Sequence, residues 1–234
     1  MSSEVPGSKS VPWSELGVRD ALLCLPAGSA HARRSSPRAD VRDEAASPGS
    51  ARACLPRAAA HGLKYTHIVL DRGVTLDQPM LTLRARGALA GVAAVARDRA
   101  ERLAGDGFTV VRVKVEASPF NAGVPQHDAD ATPDRYFEHH VKLVADQAGI
   151  DVARRISVRH TAHVSRNARR GDPDGRHERF VTQRCHGCGR PEARRRLDAL
   201  LADLTAAGLG IVEIEEEYVA LDSNPAVDTG WISA

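Results

Sequence analysis

Two sets of residues carry the chemistry this sequence can offer. Thr82-x-Arg84-x-x-Gly87 recurs 100 residues on as Thr182-x-Arg184-x-x-Gly187, and each copy follows a histidine, His67 in the first and His163 in the second. An imidazole carries a proton near neutral pH. A guanidinium offers a forked donor to phosphate or carboxylate. Two such sets brought together would make a cleft with two acid/base groups and two anion clamps, which is what phosphodiester transfer needs. The same residues also read as ordinary strand positions paired within a sheet, with hairpin register deciding which face carries the histidines.

More polar groups gather around the second set. Glu138, His140 and Lys142 alternate along one strand and share a face. Ser165 follows His163 by two residues, and SRNARR with RHER adds a basic hairpin. His163-Val164-Ser165 resembles the His-x-Ser or His-x-Thr of the two-histidine phosphoesterases, which place one such motif on each of two symmetric halves. That resemblance implies catalysis by His67 and His163. His67-Ile68-Val69 departs from it, with a valine where the hydroxyl belongs, and three residues assign no family. The expected ligand-binding set is Thr82, Arg84, Thr182, Arg184, His140 and Ser165.

Other motifs carry less. Cys185-x-x-Cys188 has two of the four ligands a closed zinc site needs, while Cys24 and Cys54 stand singly in an irregular region. Asp222, Ser223, Asn224 and Asp228 miss the spacing of a calcium loop. No phosphate-binding glycine loop or dinucleotide fingerprint occurs, so neither a metal nor a cofactor is expected.

The chain has 234 residues and a net charge of +2, with 32 basic against 30 acidic residues. That balance sets up no field for nucleic acid, and 4% aromatic content gives no stacking platform, so RNA ranks below a small ligand. No apolar run reaches the ~20 residues of a membrane helix. Four cysteines in a chain this long make no disulfide framework, and a cytoplasmic setting is expected.

The elements that would position these residues also come in two series. Residues 1–60 read as a disordered leader, rich in Ser, Pro, Arg and Ala, although ALLCLP at 21–26 could dock as a strand. Residues 61–121 read ββαβ, with strands at 66–71 and 79–86, a helix at 88–104 and a closing strand. Residues 122–135 form a linker. Residues 136–234 read βαββαβ, with strands at 136–144, 160–168 and 177–185, and helices at 145–157 and 191–207. AGDGFTVVRVKVEASPFN at 104–121 aligns without a gap to AGLGIVEIEEEYVALDSN at 207–224. The expectation is an α+β protein of two tandem ferredoxin-like halves related by internal duplication. Arg112 and Lys114 on one closing strand would face Glu213, Glu215, Glu216 and Glu217 on the other, or each set would form an ordinary solvated strand face. The expected function is binding of an anionic small molecule or nucleotide at the sheet face or the cleft between halves. A phosphodiesterase and a protein-interaction module are the alternatives.

Overall fold

The computed structural model describes residues 18–25, 58–168 and 176–231. Among the described residues the main elements are β1 Val18–Cys24, β2 Lys64–Leu70, β3 Asp77–Arg86, α1 Leu89–Gly105, β4 Arg112–Ala117, β5 Tyr136–Ala145, α2 Gln147–Arg159, β6 Ala162–Asn167, β7 His177–His186, α3 Arg190–Ala206 and β8 Gly210–Asp222. Local chemistry explains the boundaries. β-branched and aromatic runs such as KYTHIVL favour the extended chain. The Asp146 carboxylate caps α2 by accepting from the Gly149 N–H at 2.8 Å, and Pro191 suits the first turn of α3.

The strands close into one antiparallel barrel in the order β1-β3-β2-β6-β7-β5-β8-β4. This corrects the expected fold class. Two tandem ferredoxin-like halves would each keep free sheet edges. Here β2 pairs with β6 through Ile68–Asn167 and Leu70–Ser165, and β4 pairs with β8 through Lys114–Asp222 and Ala117–Tyr218. Those two seams consume every edge, which is how a barrel abolishes the exposed backbone of an open sheet. Internal duplication is corrected with it: the repeated phrase ends in β4 and β8, neighbours in one wall, and does not divide the chain into two closed units.

The first strand lies at 18–24, inside the segment expected to be a leader, between β3 and β4. Of the rest of that expected leader, 1–17 and 26–57 lie outside the described residues, and 58–60 are helical.

The wall has two unlike faces. On the outer face Leu23, Leu81 and Val115 pack with Val92, Ala96 and Leu103 of α1. Val141, Val164 and Val181 pack with Ala153 and Ile156 of α2 and Leu197, Leu200 and Leu204 of α3. The alternation along each strand therefore turns the intervening residues inward, and on β4, β5 and β8 most of these are charged. Register sets them in rows around the lumen: Glu217, Glu138 and Arg184 in one, and Glu215, His140, Thr182 and His163 in the next.

Candidate functional site

Inside the barrel the charged residues neutralise one another. Lys114 Nζ lies 2.5 Å from Glu116 and 3.0 Å from Glu138. Arg184 donates to Glu138 at 2.8 Å and to Asp228 at 2.8 Å. Arg112 holds Asp222 at 2.5 Å and Asp228 at 2.7 Å, and the Tyr136 hydroxyl donates to Asp222 at 2.7 Å. Asp228 arrives on the C-terminal segment, where Gln78 also donates to it at 2.7 Å. Ionised groups survive such burial only in this mutual arrangement.

Titration follows from these contacts. Burial drives the Glu116 carboxyl up to about 7, against the pull of Lys114. Burial would raise Glu138 likewise, but Arg184 and Lys114 outweigh it and hold the carboxyl well below its ordinary value. For His140, burial is overcome by hydrogen bonds to Glu138 and Glu217, which lift it to about 10. Its Nδ1 meets the Thr182 hydroxyl at 3.0 Å.

Glu116, Glu138 and His140 place ligand atoms within 4.8 Å of one another, the only such metal-capable group among the described residues. The Lys114 ammonium already stands against both carboxylates. The lumen thus holds its own cation.

The expected site residues separate. His140, Thr182 and Arg184 meet in the lumen, and Ser165 is buried on β6. Thr82 lies opposite Lys64 and Leu22, and Arg84 is exposed. The two histidines do not occupy matching places. His163 pairs with Thr182, whereas Lys64 pairs with Thr82 and His67 pairs with Pro79. That odd shift turns His67 to the outer face, where it meets Asp77 at 3.0 Å. Along the β2–β6 seam His163 stands five residues from the level of His67, roughly 17 Å at the usual strand rise. They share neither a face nor a cavity.

The pairing of Arg112 and Lys114 with the glutamates of β8 also resolves differently. Their ion-pair partners are Asp222, Asp228, Glu116 and Glu138. Glu213 and Glu216 instead lie near Lys142 and Arg194. Cys185 and Cys188 are buried with Phe137, Tyr218 and Ala193 in a third apolar cluster. The hydrogen bond with Cys188, and then burial, push the Cys185 thiol far up, away from the thiolate.

An open site lies at the rim. The β6 partner ends at Ala162–Gln183, but β7 runs on to His186 and is paired there with β5 alone, so alternate backbone groups of Arg184–His186 face away from β5. Beside this edge is a cleft of about 470 Å³ lined by Arg159, His160, Thr161, His186, Arg195 and Arg196 among others, with no acidic residue in its lining. Thr161 has φ 52°, the only positive value at a non-glycine among the described residues. A β-branched residue takes that conformation only where its surroundings enforce it. Asp203 pairs with Arg159 at 3.1 Å and His160 at 2.9 Å, and Glu192 with Arg195 and Arg196 at 2.7 and 2.8 Å. Two carboxylates thus serve three arginines, of which Arg159 and Arg195 are 59% and 71% exposed.

Sequence reading missed this cleft because its basic groups come from α2, α3 and the end of β7. The arginines of RPEARRR were the available signal. No family model and no curated protein matches the chain, so its chemistry rests on its own residues.

Proposed function

We propose that the protein binds a small anion bearing a phosphate or carboxylate, with a nucleotide in range, in the arginine cleft beside the open end of β7. The carrying observation is the acid-free lining that Arg159, Arg195 and Arg196 share with His160 and His186. Exposed ion pairs such as Arg195–Glu192 hold their partners weakly. A phosphate entering the cleft exchanges them for forked, charge-assisted bonds, and the unpaired stretch of β7 adds backbone donors. The volume lies within the usual range for small-molecule sites. The lumen is already neutralised and offers an anion nothing comparable.

Phosphodiesterase chemistry by His67 and His163 finds no support in their separate placement on opposite faces of the wall. A cytoplasmic setting fits the free thiols of Cys24, Cys185 and Cys188. No helix among the described residues is long and apolar enough to cross a membrane.

The test is calorimetric titration with pyrophosphate and with adenosine monophosphate at low ionic strength. Saturable binding that weakens about tenfold in Arg195→Ala and in Arg196→Ala, as loss of one charge-assisted contact implies, supports the reading. Affinities unchanged by both substitutions contradict it.

A further inference from the structure

We propose that a second, smaller cavity, under Trp231 and beside the C-terminal half of α2, binds a compact carboxylate through His163. The cavity measures about 190 Å³ and is lined by Arg72, Arg154, Ser157, Val158, His163 and Trp231, among others. His163 is 5% exposed. Its Nδ1 lies 2.6 Å from Arg72 Nη2. A guanidinium can only donate, so Nδ1 accepts and the ring proton resides on Nε2. Burial, with Arg72 and Arg184 nearby, lowers this histidine to about 4, which agrees with a neutral ring. Nε2 is therefore a buried N–H donor, and it has no hydrogen-bond partner. Buried donors are almost always satisfied, and an orphan points to a missing acceptor.

The surroundings narrow that acceptor's chemistry. Arg154 is committed to Asp71 at 2.5 Å and Asp151 at 2.7 Å. Arg72 has no carboxylate partner shown, its bonds going to His163 and to the Trp231 carbonyl oxygen at 3.3 Å. Asp71 also lines the cavity, where Arg154 engages it, so Arg72 is the guanidinium left to meet an incoming anion. The Trp231 ring stands 5.9 Å from the His163 ring and supplies an apolar wall, with Val158 beside it. An anion with one apolar body and one acceptor end suits this combination. A cavity of about 150 Å³ suffices for a benzene ring, so a benzoate-sized ligand fits. These residues are separate from the arginine cleft, and failure here leaves the cleft reading untouched.

The test uses sodium benzoate as the probe, with benzyl alcohol and inorganic phosphate as controls, read by ¹⁵N NMR of the His163 imidazole and the Trp231 indole. Benzoate should shift the His163 Nε2 and Trp231 Nε1 signals saturably, while the controls leave them in place. Arg72→Gln, at an exposed position that leaves the core intact, should weaken benzoate about tenfold. Val158→Trp, from another exposed position on α2, should fill the space and abolish the shift. No saturable shift would overturn the proposal in favour of an ordered water. Equal shifts with benzyl alcohol would overturn it in favour of a plain apolar void.

Discussion

The Lys114 ammonium reaches Glu138 at 3.0 Å from two strands away, since β8 lies between β4 and β5 in the barrel wall. This contact crosses the lumen side of a strand that contributes neither partner. The charged interior is therefore a device that fixes strands against one another. Removing one member while leaving the rest buried is the costly change. Glu138→Gln takes a carboxylate from both Lys114 and Arg184, leaving Glu116 and Asp228 as their remaining buried counter-ions, and should destabilise the fold by about 3–5 kcal/mol. Urea denaturation checks this. A loss below about 1 kcal/mol would mean that the network behaves like surface pairs.

Glu116 gives the interior a pH signature. Its folded value near 7 lies above the ordinary 4.5, so between those values the folded state holds a proton the unfolded state has released. Its contribution is fully present below 4.5 and is lost as pH rises through 7. Glu116→Gln removes that titration. The stability of the native protein relative to this variant should fall as pH rises from 4.5 to 7, and level off beyond. His140, raised to about 10, stays charged through that window. His163, lowered to about 4, acts oppositely, its contribution being lost as pH falls from 6.5 through 4. Thermal melts of both proteins across this range decide the matter, and a parallel pair of curves would contradict it.

His67 is an outer-face residue whose ring meets one exposed carboxylate, Asp77. His67 is half-buried, so His67→Ala should cost no more than about 1 kcal/mol, the loss of one weak ion pair and some packing, and should leave anion binding as it was. Chemical denaturation with anion titration checks both halves of that statement. A large loss of binding would return His67 to the site.

Gly189 marks the start of α3, where a Cβ would stand 2.7 Å from the backbone of Gln126 and His127. The connecting segment crosses there too closely for any side chain, and its Asp128 carboxylate accepts from the Gly189 N–H at 2.7 Å. Gly189→Ala should cost roughly 1–3 kcal/mol through overpacking against backbone that cannot yield. An unchanged melting temperature would show that the crossing relaxes.

Much of the local structure was legible in the sequence, and the closure was not. The helix read at 88–104 appears at Leu89–Gly105, and the strand read at 177–185 at His177–His186, because apolar periodicity and turn residues report local conformation. Seams between β2 and β6 and between β4 and β8 leave no local trace. Alternation identifies two faces of a strand without saying whether the polar one meets water or a lumen. Arg112 and Lys114 therefore read as facing the glutamates of the other closing strand, or else water, whereas both are buried and pair inside the lumen with Asp222, Asp228, Glu116 and Glu138. The His67–His163 match failed for a related reason: sequence similarity put them level, and a three-residue difference in hairpin register put them on opposite faces.

The cleft claim is tested most directly by mapping amide shifts on a ¹⁵N-labelled sample titrated with pyrophosphate. The account predicts saturable shifts confined to Thr161, Gln183–His186 and the Arg195–Arg196 turn of α3. Shifts centred on the lumen residues around Glu138 and His140, or no saturable shift anywhere, would contradict it.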